Sequence, residues 1–281
     1  MNTLLLGLIA AFCWGLHDIA IRFLSRSVPL LSALFIVFLT GLIFQIGTIF
    51  IGGGTFLPTG AALWYSICTG IALLIAGLSL YYAFQRGPVR LVSPIIGAYP
   101  VLSILIAIFA GSPITAGQIA AVLTIVCAVG LVAVFSDSDS EKIPPKGPTI
   151  LLSLISAIGF ASTFALGQIA AEMGEEWQGT FMARLVATGL LCIILIALRA
   201  DLRIKPTALV ILTIMGLLDG IALLAVISAG ALDQPEFASV AASMFGLFTI
   251  LLARVLLKET MTPIQWGSCI VAFLGIGYLS I

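Results

Sequence analysis

The sequence predicts an all-α integral membrane protein: ten transmembrane helices arranged as two inverted five-helix repeats, with both termini extracytoplasmic. Three observations lead there. Of 281 residues, 61% are hydrophobic and only 9% are Asp, Glu, Lys or Arg, against about 25% charged in an ordinary soluble domain. The apolar residues fall into runs near the roughly 20 residues that a helix needs to cross a bilayer. The charges sit almost entirely between those runs, and their sign alternates from one connector to the next.

Composition also excludes whole classes. Twelve basic and twelve acidic residues cannot clothe a soluble fold of this length. Disorder fails as well, since it needs low hydrophobicity and high charge. A net charge of zero removes the basic stripe that nucleic-acid binding requires. Cys13, Cys68, Cys127, Cys192 and Cys269 lie inside apolar runs without C-x-x-C spacing. They read as small buried hydrophobes rather than disulfides or metal ligands. Met1-Asn2-Thr3 carries no basic region and the apolar run continues to about Phe23, so the N-terminus reads as a retained first span rather than a signal peptide.

The spans are drawn at 3–23, 30–51, 61–84, 91–110, 115–135, 148–171, 178–198, 207–230, 236–257 and 263–280. Each must satisfy its own backbone hydrogen bonds in hydrocarbon, which a helix does internally. Runs such as Ile119–Phe135 lack the alternation of a membrane barrel strand. The most polar connector, residues 136–147, reads as a cytoplasmic linker between a first repeat at 1–135 and a second at 148–281. Eleven of the twelve basic residues lie at odd connectors: Arg22, Arg26, Arg86, Arg90, Lys142, Lys146, Arg199, Arg203, Lys205, Arg254 and Lys258. Even connectors carry Glu172, Glu175, Glu176, Asp233 and Glu236 instead. The positive-inside rule then places odd connectors in the cytoplasm.

The halves resemble each other. An offset of 147 lays Pro88 on Pro235, Thr115 on Thr262, Gln118 on Gln265 and Gly130 on Gly277. Slightly different offsets, 146 and 143, lay Trp14 on Phe160 and Phe38 on Phe181. Five spans per half is an odd number, so equivalent connectors fall on opposite faces. Such inverted repeats usually enclose a midplane site reached alternately from each side.

With those features in view, the sequence resembles the ten-helix drug/metabolite transporter superfamily of EamA type. The resemblance rests on Trp14-Gly15, Ala83-Phe84-Gln85-Arg86-Gly87-Pro88 with Pro100, Arg184, and the run from Leu256 to Gly267 leading into Gly275 and Gly277. It departs at Gly111-Ser112, where the Lys-Glu pair of the second half has no equivalent, and at Gly246-Leu247, where Pro100 would repeat. Gly41 is taken as the first-half counterpart of Arg184. The resemblance implies secondary-active transport of small metabolites, amino acids or drug-like compounds, by export or exchange, in the cell inner membrane. A passive channel or facilitator is the alternative.

Polar groups at membrane depth are costly and mark function or pairing. Arg184 and Asp219 fall at similar depth on spans seven and eight and are expected to pair. The pair would close a gate, present Arg184 to an anionic substrate group, or act as a static bridge. Asp18 stands one turn before Arg22, within reach of an i,i+4 pair; alternatively Asp18 or Asp219 is a proton-coupling carboxylate. Trp14, His17, Tyr81, Tyr82, Tyr99, Phe160 and Ser243 are candidates for the substrate path; Tyr81 and Tyr82, near the cytoplasmic end of span three, read equally as an interfacial belt. Pro94 and Pro100 are expected to loosen span four. The single histidine excludes an H-E-x-x-H zinc site, and no Walker loop is present. No catalytic residue, metal or cofactor is expected. The expected partners are a small-molecule substrate, membrane lipid and a proton as candidate coupling ion, with no nucleic acid, in a monomer or homodimer.

Overall fold

A computed structural model describes residues 2–24, 28–52, 56–86, 92, 95–134, 146–248, 252, 255 and 262–279. Among these the chain forms α1 (Thr3–Leu24), α2 (Leu30–Gly52), α3 (Gly60–Arg86), α4 (Tyr99–Phe109), α5 (Ala116–Val134), α6 (Lys146–Glu172), α7 (Glu176–Ala197), α8 (Pro206–Ser228), a 3-10 turn at Ala229–Ala231, α9 (Glu236–Ala242) and α10 (Pro263–Leu279). Six helices, α1, α2, α3, α6, α7 and α8, are long and apolar enough to cross a membrane, and four shorter apolar helices accompany them. Pro94, most of the linker, Arg26, Arg90, Lys142, Arg254, Lys258 and the motif positions 87–88 and 256–261 lie outside the described residues, as do the side chains of Arg22 and Lys146.

Local chemistry sets several helix ends. The Thr-x-x-Gln sequences that match between the halves are capping boxes. At α5 the Thr115 N–H donates to Gln118 Oε1 (2.9 Å) and the Gln118 N–H returns to Thr115 Oγ1 (3.2 Å). At α10 the Thr262 N–H donates to Gln265 Oε1 (2.7 Å) and the Gln265 N–H to Thr262 Oγ1 (3.3 Å). At the end of α6, Gly174 adopts a positive φ of 81°. Its N–H then reaches the Ala171 carbonyl while that of Glu175 reaches Ala170, which satisfies carbonyls the helix leaves open.

The fourth and ninth segments are broken helices. Segment four turns at Gly97–Ala98 before α4 begins. Pro100 stands in the first turn of α4 and has no N–H to return to the preceding helix. Segment nine turns at Ser243–Met244 and is helical again over 245–248. There the Met244 N–H reaches back only three residues, to Ala241. The two breaks are 146 positions apart.

Packing runs between the halves. The most extensive pairings are α3 with α6 and α7, α1 with α8 and α9, α5 with α10, and α2 with α8 and α7, followed by α4 with α6. Exchanging each helix for the one five places along turns this set into itself. Two glycine contacts carry the same relation to single residues. Gly70 of α3 lies on the Ala183 carbonyl and Val186 of α7, and Gly216 of α8 lies on the Val37 carbonyl and Thr40 of α2. Each residue of one contact is 146 positions from its counterpart in the other. A Cβ at either glycine would strike the facing backbone, so the small residue lets the helices approach.

At this offset the counterpart of Arg184 is Phe38, not Gly41. The weak identity of the halves tolerates a three-residue slip that the glycine contacts do not. Gly41 instead makes room, since a Cβ there would lie 3.3 Å from Arg184 Cζ.

The outer surface is apolar: Phe50 is 70% exposed, Trp64 68% and Ile196 72%. So large an apolar surface on a folded chain calls for lipid. At one end of the bundle Asn2, Gln118, Asp233 and Tyr278 border one open hollow of about 560 Å³. Both chain ends and connectors four and eight therefore meet there, and Thr3 Oγ1 donates to the Asp233 carbonyl (2.8 Å).

Candidate functional site

The centre of the bundle holds a cavity of about 60 Å³. That is room for a few water molecules and far below the roughly 300 Å³ at which ligand pockets begin. Trp14, His17 and Asp18 of α1 border it, with Asp219 of α8 beside them. Opposite stand Tyr81 of α3, Tyr99 of α4, and Phe160 and Phe164 of α6. Leu34, Val37 and Phe38 bring in α2, and Phe245 comes from the stretch after the break in segment nine.

The expected ion pair is present. Arg184 Nη1 lies 2.7 Å from Asp219 Oδ2, and Arg184 is fully buried. The approach is oblique: none of the three guanidinium nitrogens has a well-aligned acceptor among the described residues. The cation is held instead by proximity to Asp219 and by the Phe38 ring, 5.1 Å from Cζ to centroid. Asp219 is held from its other side, because Trp14 Nε1 donates to Oδ1 (2.9 Å). A single chain of contacts thus ties α1, α8, α7 and α2 around the cavity. Asp219 borders the cavity, whereas Arg184 stands behind it.

His17 Nδ1 lies 3.3 Å from Asp18 Oδ1, close enough for a ring N–H to donate to the carboxylate. Consecutive residues on a helix point about 100° apart, yet both face this cavity because it wraps around α1. Tyr99 is 2% exposed, and neither its phenol oxygen nor that of Tyr81 has a hydrogen-bond partner among the described residues. The aromatic wall is continuous: the Phe164 ring packs on Trp14 (5.6 Å), Tyr99 (5.4 Å) and Phe160 (6.0 Å).

Trp14, His17, Asp18, Tyr99, Phe160 and Asp219 therefore converge on one cavity. Tyr82 does not; it is 37% exposed on the outer surface, and its neighbour Tyr81 takes the inner position. Ser243 is fully buried away from the cavity, with its hydroxyl on the Val240 carbonyl (2.7 Å). Pro100 shapes the start of α4 without bordering the cavity. Phe164 and Phe38 were not singled out from the sequence. Phe164 had a usable signal, four residues after Phe160 on the same helix face. Tyr81 also borders a second space of about 70 Å³ that reaches Leu24, Leu30 and Gln85, at the end of the bundle where odd connectors one and three begin and end.

An apolar exterior, spanning helices and a charged pair held at the centre define a multi-pass α-helical membrane protein. The model of the EamA-like transporter family matches both halves of the chain, at residues 1–134 and 147–281. The chain belongs to the EamA-like transporter family and is a membrane transporter of the drug/metabolite type. Its fold is similar to that of a protein of known crystal structure, at a TM-score of 0.84 over 99% of this chain and 96% of that one. The identity there is 16%, so the likeness concerns the fold alone. The comparison with curated proteins gives no match.

Proposed function

We propose that this transporter is a secondary-active carrier that moves small metabolites, amino acids or drug-like compounds across the cell inner membrane, by export or exchange, through alternating access. It is built of two inverted repeats, residues 1–135 and 148–281, with both termini extracytoplasmic. The observation that carries the reading is the small central cavity bordered by Trp14 and Asp219, with Arg184 paired to Asp219 behind it. A channel needs a continuous path, whereas a carrier must shut its site from both sides in turn. Support comes from helices broken at matched positions, Gly97–Ala98 and Ser243–Met244, which are natural bending points beside the cavity. Tyr81, shared by the cavity and the second space below it, closes one route. Asp18 and Asp219 are the carboxylates available for proton coupling.

Reconstituted protein tests this. A carrier preloaded with unlabelled substrate accelerates entry of labelled substrate, and a pooled-metabolite screen for such counterflow would reveal it. Solute flux without any acceleration by the trans pool would establish a passive channel and overturn the carrier reading.

A further inference from the structure

The transport reading leaves the substrate open, and the cavity narrows it. We propose that the central site takes a flat organic monocation, an amine carried on an aromatic or similarly planar body; the inference rests on the carrier reading for its setting and on the cavity for its chemistry.

Among the described residues, the carboxylates are the fixed charges that border the cavity. Asp18 and Asp219 both face it. Arg184 is fully buried behind Asp219 and against Phe38, outside the lining. An anionic substrate would meet two carboxylates before it met the guanidinium, and would have to break the pair to reach it. Asp219 is already balanced by Arg184 and held by Trp14. The carboxylate of Asp18 is met by a histidine at 3.3 Å and, among the described residues, by no fixed cation, so a cationic ligand would give it a counter-charge.

The rest of the wall suits a cation with a flat body. Trp14, Tyr81, Tyr99, Phe160 and Phe164 present ring faces or edges to one small volume. The negative face of such rings attracts a desolvated cation. The Tyr99 phenol oxygen is a second, independent mark of a ligand. It belongs to a side chain 98% removed from contact with the surroundings, borders the cavity, and has no partner among the described residues. A buried phenol normally finds a hydrogen-bond partner, and an ammonium N–H would supply one to its oxygen.

The test compares ligands of one shape and different charge. Phenethylamine, phenylethanol, phenylacetate and phenylalanine would be measured for thermal stabilisation of the detergent-purified full chain, and for counterflow in proteoliposomes. Phenethylamine should stabilise the protein and exchange, with phenylacetate inert. Asp18→Asn should weaken phenethylamine binding about tenfold or more, the loss expected for one charge-assisted hydrogen bond, while phenylethanol binding stays unchanged. Asp18→Glu should restore much of it, and Tyr99→Phe should weaken the amine by a smaller factor in a protein whose core shape is kept. If phenylacetate binds and phenethylamine does not, or if Asp18→Asn leaves amine affinity intact in a folded protein, the inference is overturned. Counterflow of pooled metabolites without any amine among them would sink the substrate class and leave the carrier standing. Amine binding without exchange of any solute would do the reverse.

Discussion

Two helix crossings face each other across the cavity, α1 with α8 and α3 with α6. They correspond under the 146-residue offset, yet they carry opposite chemistry. On the α1–α8 side stand Trp14, His17, Asp18 and Asp219, linked by the Trp14–Asp219 hydrogen bond. Their counterparts are Phe160, Thr163, Phe164 and Leu73. Of these, Phe160, Phe164 and Leu73 also border the cavity. The α3–α6 crossing is held by contact rather than charge. Gly159 lies on Ala76 so closely that a Cβ would come within 2.8 Å of the Ala76 Cβ, and Ser156 Oγ donates to the Ala76 carbonyl (3.0 Å). The corresponding positions across the cavity are Cys13 and Ala222. One backbone plan thus supplies a polar wall and an apolar wall, each built from one helix of either half.

The comparison breaks most severely at Asp219. Giving it the identity of its counterpart, as Asp219→Leu, strands Arg184 as a buried charge without a counter-ion. The expected loss is about 3–5 kcal/mol, the usual effect of removing one partner of a buried pair. Thermal unfolding in detergent would show a large fall in midpoint. Adding Arg184→Met should recover most of that stability, since two apolar residues replace two charges, but transport should stay lost. If the double variant transports normally, the α1–α8 crossing has no special role and the contrast between the two walls is only one of packing.

The α3–α6 crossing breaks through volume instead. Gly159→Val forces a branched side chain against the Ala76 backbone and should cost about 1–3 kcal/mol by overpacking. Here transport should fall in step with stability, because no ligand group has been removed. Cys13→Val at the matching position already has its Cβ accommodated and should cost less. Equal losses at both positions would mean that the two crossings are equally tight.

Some of this was legible in the sequence and some was not, and the division follows locality. The capping boxes at Thr115 and Thr262 were visible as matched turn residues because all their bonds lie within four residues. The Arg184–Asp219 contact was legible because a charge among apolar spans has few partners to choose from. Pro100 announced the break in segment four. The break at Ser243–Met244 had no such signal; nothing in Gly246-Leu247 forbids a helix, and the turn follows from tertiary packing. The sequence places the counterpart of Arg184 three residues off, at Gly41, for a related reason: apolar spans of similar composition slide on each other in alignment, and the close glycine contacts fix the register.

The smallest expected effect lies on α3 itself. Tyr81 and Tyr82 are neighbours at the end of an almost uniformly apolar helix, so nothing in the sequence indicates which one turns inward. One step of about 100° decides it. Tyr82 lies on the outer surface, and Tyr81 borders the cavity with its hydroxyl buried. Tyr82→Leu should therefore change stability by no more than about 0.5 kcal/mol, as for other surface positions away from special features, and leave exchange rates unaltered. Tyr81→Leu, one residue away, removes a ring shared by the cavity and the space below it and should change the exchange rate even where stability is kept. The contrast between the neighbours separates a role in the path from a general effect of trimming aromatic residues near the end of α3. If both variants behave alike, Tyr81 is not the barrier between the two spaces.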